Sequence, residues 1–344
     1  MAAAVDGLAG DLSRPGLIPL YSGENVSIFA HLWADAADRL HQHDWFGAFQ
    51  VIEGRSFNAR FAFRQEGTLE EFGLGQLDRT GLEIFTQGHI QPVTAGDGLI
   101  HSVVYSGKPG LAVSLRVASE NPAGAMEYLR PGLRCPSYRR RGNSAAQLDL
   151  LAQARQLGDD VYAERFMGMA GQLDDAGLLR LLDAAAFDGL ELPDPVVDLA
   201  AGALPGGMKT LASLDDIERS DKTRELLSEH QVPVVRDVIC AIFHSDGRGE
   251  LAEALRIAGH GEPVLAAGEG LAALLIDDQG NNGAPEALLQ ALGEAALTGD
   301  LATAMVAMRE KEKGADHVDA HFEFLEMAFS AMEETPFFRC LFRA

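Results

Sequence analysis

The chain has 344 residues, 47% of them hydrophobic and 23% charged, with a formal net charge of −23. This length and balance fit a globular protein with a sizeable core and room for two domains. The acidic excess speaks against nucleic acid, whose affinity rests on Lys and Arg meeting phosphates, and no run of about 18 apolar residues suggests a membrane span.

The opening MAAAVDGLAGDLS lacks a basic start and a long apolar core, so no secretory signal is expected in it. Cys135, Cys240 and Cys340 are too few and too scattered for a disulfide framework or a Cys-x-x-Cys metal site. A cytoplasmic address is the expectation. Residues 1–22, with Pro15, Gly16 and Pro19, read as an irregular lead-in. Strands are expected over 25–33, 45–53, 56–65, 82–87, 89–94, 99–105 and 111–118, with 34–40 as a connector. They are β-branched and aromatic, and turn signals such as Gln87-Gly88 and Ala95-Gly96-Asp97-Gly98 separate them. The strand over 56–65 sets Phe57, Ala59, Phe61 and Phe63 against Asn58, Arg60 and Arg64, the half-buried pattern. Many short strands without helical periodicity indicate a β-sandwich or small barrel.

Asn121-Pro122 stops the last of these strands, and 131–143 reads as a linker whose Arg139–Arg141 run is a solvated charge cluster. From Ser144 on, apolar residues recur at i, i+3, i+4. Helix starts are expected at Asp174-Asp175, Ser220 and Asp300, with Pro233 and Pro285 near two more, and Gly158, Gly259 and Gly314 fit helix ends. The fold class is α+β: a β domain over 1–130, a linker over 131–143 and an all-helical domain over 144–344.

The chemistry concentrates in His41-Gln42-His43. Two histidines at i and i+2 on a strand share a face, and His101 on a neighbouring strand would complete a three-nitrogen pocket for a divalent transition metal. With no carboxylate ligand, such a centre keeps its +2 charge until an anionic substrate chelates it. Ser114, Arg116 and Ala118 alternate on one strand and share a face. Arg116 there would grip a substrate carboxylate, or lie outward and solvated; the residues alone leave both open. Trp45, Gln50 and Tyr105 are further candidates for contact with substrate. His31 and His89 read as core or surface histidines, or as groups that orient a ligand. His317-x-x-x-His321 reads as a solvated helix face, Cys240 as a buried small hydrophobe, and Asp277–Gly283 as a turn.

His41-x-His43, then Glu53-Gly54, then Ala95-Gly96-Asp97 leading to His101, resembles the two short motifs of the cupin superfamily, small jelly-roll barrels that hold a metal inside. The Glu that usually follows the second His falls on Gly47 and Ala48, which leaves a three-His site. Within the superfamily, Gly98-Leu99-Ile100-His101-Ser102-Val103 running on to Ala112-Val113-Ser114-Leu115 is similar to the cysteine dioxygenase group, as is the strand of Trp33. The likeness covers about residues 20–120. It implies Fe(II) on His41, His43 and His101, with Ni, Cu, Zn or Mn as alternatives, and it gives Ser114 the place of the Ser in that group's Ser-His-Tyr network. The His of that network falls on Arg116, the Tyr on Ala118 and the crosslinking Cys on Gly47. No clear substrate-binding Arg lies upstream of Trp33, Arg14 being a poor match. The metal site carries over and the cysteine chemistry does not. The expected activity is a three-His non-haem iron oxygenase that joins dioxygen to a small chelating thiol or acid. The alternatives are a non-catalytic sensing or scaffold protein whose helical half binds a partner or a second copy, and a metal-dependent isomerase or lyase.

Overall fold

Pairing of the β-branched segments builds two antiparallel sheets, which the computed structural model of the chain describes for residues 17–33, 38–107, 110–118, 125–136, 145–275, 285–311, 318–333 and 335–342. Outside these lie Arg14, most of the 34–40 connector, Asn121-Pro122, the Arg139–Arg141 run, the Asp277–Gly283 turn, Gly314 and His317. The strands are β1 (Leu17–Ser22), β2 (Val26–Trp33), β3 (His41–His43), β4 (Trp45–Glu53), β5 (Ser56–Leu69), β6 (Phe72–Phe85), β7 (Ile90–Val93), β8 (Gly96–Tyr105), β9 (Gly110–Ala118), β10 (Met126–Leu129) and β11 (Leu133–Pro136). One sheet runs β1-β2-β9-β4-β7; the other, β10-β11-β6-β5-β8-β3, closes on itself.

Three stretches differ from the sequence expectation. Leu17–Ser22 is a strand rather than a lead-in; Pro19 is tolerated because β1 is an edge that pairs with β2 alone. Strand β6 begins at Phe72, ten residues earlier than expected. Its glycines hid it, and Gly75 is there because a Cβ would meet the Arg64 carbonyl oxygen at 2.2 Å. The stretch read as a linker opens with β11, the second half of a hairpin that pairs β10 to β3 and β11 to β6.

The helices are α1 (Ala145–Leu157), α2 (Asp159–Ala170), α3 (Asp175–Phe187), α4 (Asp194–Ala203), α5 (Gly207–Glu229), α6 (Pro233–His244), α7 (Arg248–Ile257), α8 (Pro263–Leu275), α9 (Glu286–Thr298), α10 (Leu301–Lys311) and α11 (Val318–Glu333), with a 3-10 turn over Pro336–Phe342. Asp174 caps α3 by accepting from the Gly177 amide at 2.8 Å, as its position predicts. Helix α5 starts at Gly207 rather than Ser220. Its buried stripe includes Ser213, Asp216, Arg219 and Thr223, so an apolar-spacing rule misses it. No helix among the described residues is long and apolar enough to cross a membrane.

The helices pack on the closed sheet. Phe57 and Val104 share one apolar cluster with α6 to α9, and Phe72, Leu129, Leu133 and Cys135 share another with α1 to α5. Polar ties from α6 reinforce the contact. Arg236, 2% exposed, donates to the carbonyls of Tyr105 at 2.9 Å, Ser106 at 2.6 Å and His230 at 3.1 Å, and to that of Leu227. Replacing it leaves buried acceptors unmatched. Arg236→Ala is expected to lower stability by about 3 kcal/mol, read as a lower urea midpoint; an unchanged midpoint would refute the tie.

At the other end of α6, the Ser102 hydroxyl donates to His244 Nε2 at 2.7 Å, while Nδ1–H donates to the Cys240 carbonyl at 3.1 Å. Burial, then Arg130 and Arg219, hold the His244 pKa well below its ordinary value. The ring is neutral in the fold but takes up a proton in the unfolded chain below about pH 6.5. The unfolded state then binds more protons, so stability falls as pH drops through that value. Urea midpoints at pH 7.5 and 5.5 should therefore differ, and by less in His244→Gln. Equal differences in both proteins would reject this source.

Candidate metal centre

Strand β3 is three residues long and its alternation sets the site. Gln42 turns away from the pocket-facing pair, its Oε1 accepting from the Tyr128 hydroxyl at 2.5 Å. His41 and His43 share the opposite face. His41 is the cross-strand partner of His101, and His43 that of Gly96, with a register shift between. The three ligand atoms lie within 4.8 Å of one another.

Hydrogen bonds set which ring nitrogens carry lone pairs. His41 Nδ1 meets the Arg39 carbonyl at 2.8 Å, and His101 Nδ1 meets Asn58 Oδ1 at 3.3 Å. Both acceptors require Nδ1–H, so each Nε2 presents a lone pair. His101 Nε2 faces His43 Nε2 at 2.9 Å. Two imidazole nitrogens bound about 2.1 Å from one ion at right angles stand about 3.0 Å apart, so the donor set fits a metal shared by these rings. His101 is 7% exposed, and burial first, then His41 and Arg60, hold its pKa well below normal. The ring therefore stays neutral, as ligation requires.

Asn58 fixes the His101 ring from β5. Such partners typically contribute 10–100-fold in metal affinity. Asn58→Ala is expected to weaken metal binding by about that factor, with Asn58→Asp, which keeps the acceptor, closer to the parent; competition with a chromophoric chelator reads it. Identical affinities in all three proteins would exclude the role.

The trio opens onto a cavity of about 130 Å³ between the two sheets, room for a small organic molecule. Ser114, Arg116, Trp45 and Tyr105 line it. The Arg116 guanidinium lies 4.5 Å over the Phe29 ring and 5.0 Å over that of Trp45. Its Nε donates to Ser114 Oγ at 3.2 Å, and Ser114 Oγ is 2.8 Å from His31 Nε2. Arg116 thus faces the pocket, and His31 belongs to the same polar chain. Tyr105 stacks on Trp33 at 5.2 Å, and its buried hydroxyl has no hydrogen-bond partner among the described residues. Burial raises its pKa well above normal, so it remains a donor.

Gln50 is the correction. It alternates with Trp45 and Phe49, which line the cavity, so it lies on the outer face of the sheet, opposite Val113 and Ile90. Sequence reasoning also passed over Asp38 and Glu127, acidic groups on the cavity wall. Glu127 pairs with His41 across β10 and β3 and lies 4.0 Å from Arg39. His89 stacks on Phe85 at 3.7 Å and lies outside the cavity.

No protein-family model matches the chain, and no curated protein sequence matches it significantly. Solved structures that it resembles include a protein from Bacillus halodurans, 18% identical over 34% of this chain and 80% of that one, with a TM-score of 0.24. Hydroquinone 1,2-dioxygenase from Sphingomonas sp. TTNP3 with 4-hydroxybenzoate bound is 10% identical over 31% of this chain and 68% of that one, TM-score 0.24. A cupin-like protein from Thermotoga maritima is 12% identical over 32% and 73%, TM-score 0.21. What each of these binds or transforms is a property of that protein.

Proposed function

We propose that the chain is a mononuclear metal enzyme of the three-His cupin type, an Fe(II) oxygenase for a small anionic substrate. The observation that carries this reading is the meeting, in one cavity, of three imidazoles, two of them oriented by hydrogen bonds at Nδ1, and an arginine held between aromatic faces. Ferrous iron held by His41, His43 and His101 would supply electrons for dioxygen and a +2 charge for a chelating anion.

The chain's own groups do the rest. Arg116 binds a substrate carboxylate bidentately, and Ser114, itself fixed by His31, sets the guanidinium plane. Tyr105 donates a hydrogen bond from a hydroxyl that stays protonated. Trp33, Trp45 and Phe49 give the cavity an aromatic wall that limits water around the reacting group. The β region is read as a cupin jelly roll, with residues 17–136 carrying the metal domain and the helices its outer support.

The test is metal content together with dioxygen uptake. Protein loaded anaerobically with Fe(II) should hold about one equivalent and consume dioxygen with one of a panel of small thiols and carboxylic acids. Turnover without dioxygen would replace the oxygenase by an isomerase or lyase at the same site. Failure to hold any divalent metal would remove the enzyme reading altogether.

A further inference from the structure

The outer face of the β1-β2-β9-β4-β7 sheet, opposite the cavity, is mostly apolar. Alternation and cross-strand pairing put Ile18 and Tyr21, Ile28, Val113, Leu115 and Val117, Phe46 and Ile90 on it. Leu115 is 42% exposed, Phe46 46%, Ile90 57% and Tyr21 55%. Gln50 and Glu53 are the polar exceptions, and Glu53, at the end of β4 opposite Leu111, is the one charged position among the described residues, in a chain with 51 Asp and Glu and 28 Lys and Arg. The helical clusters cover only the other sheet: the strand residues they include come from β5, β6, β8, β10 and β11.

We propose that this face is where a second copy of the chain docks, sheet against sheet. Five strands about 4.8 Å apart and roughly 25 Å long present roughly 600 Å². That is at the upper end of what monomers leave exposed, and near the ~800 Å² each partner gives to a standard stable interface. Two molecules of charge −23 repel, and a face whose one paired carboxylate, Glu53, stands at the end of β4 is where they can meet with little opposition of like charges. The same charge disfavours an anionic lipid surface, which basic residues would have to hold. Pro19 on edge strand β1 blocks extension by strand addition, which leaves face-to-face packing of two twisted sheets. Such a dimer covers the back of β9, the strand whose other face carries Ser114 and Arg116, and so stiffens that cavity wall.

The test is sedimentation velocity and light scattering of the full chain at micromolar concentrations. The expected species is a dimer. Leu115→Lys and Phe46→Lys should sediment as monomers with unchanged circular dichroism and metal content. Leu115→Thr, which suits a strand and guards against loss of folding, should weaken dimerisation at least ten-fold. Met327→Lys, at a 63% exposed position of α11, should leave the dimer intact. A monomeric parent overturns the proposal, whether residues 1–16 or a vesicle surface turns out to cover the face. So does a dimer that survives in folded Leu115→Thr and Leu115→Lys.

Discussion

His101→Ala is expected to strip the chain of its metal: about one equivalent in the parent and less than about a tenth in the variant after the same loading. Structural zinc sites gain about 10–16 kcal/mol from their ligands together. One ligand in three or four is therefore worth ~3–4 kcal/mol, a factor of about 10²–10³ in affinity. His101 should show the full effect because it is the most buried of the three and Asn58 holds its lone pair in place. Metal excess at 100-fold over Kd should also raise the parent's stability by ~2.7 kcal/mol, a thermal shift that the variant should lack. A variant that binds as tightly as the parent, or a parent that never shifts, would remove the metal site.

The trio was legible because it rests on short-range geometry. Two imidazoles at i and i+2 need only a strand, and β8, which runs from Gly96 on, sets His101 opposite His41. Strand β4 appears over Trp45–Glu53 as its pattern predicts. Gln50 went wrong within that same strand, where parity with Trp45 already assigns it to the far face. Asn58 was hidden for a different reason. Its strand reads as half-buried, yet helices cover Phe57 and Asn58 is buried against His101, so both faces are buried. The β10–β11 hairpin was lost because Pro131, Pro136 and the basic run after it look like a linker. What makes it a hairpin is pairing with β3 and β6, whose residues are more than fifty positions away in sequence. The polar buried stripe of α5 and the Ala- and Gly-rich α8 likewise carry little apolar contrast to read.

Gly47→Ala should be the most destabilising single methyl added to the β region. Gly47 has φ +154, and a Cβ there would lie 1.8 Å from the Leu115 carbonyl oxygen and 3.3 Å from the Trp45 ring. Backbone cannot yield as a flexible side chain does. Strain of a φ that L residues rarely adopt, added to overpacking, comes to about 4 kcal/mol. Gly47 is also the cross-strand partner of Arg116. Any relief must push β9 away from β4, and with it Ser114 and Arg116 away from the three histidines. The variant should therefore lose stability in urea and, where it folds, bind substrate more weakly while the His donors persist. Gly47→Glu should be worse, which bears on the missing carboxylate ligand: β4 and β9 approach too closely here for any side chain, so the three-nitrogen set is imposed by packing. A Gly47→Ala protein with the parent's urea midpoint would show that the strands can part, and a carboxylate ligand at 47 would then be open to this fold.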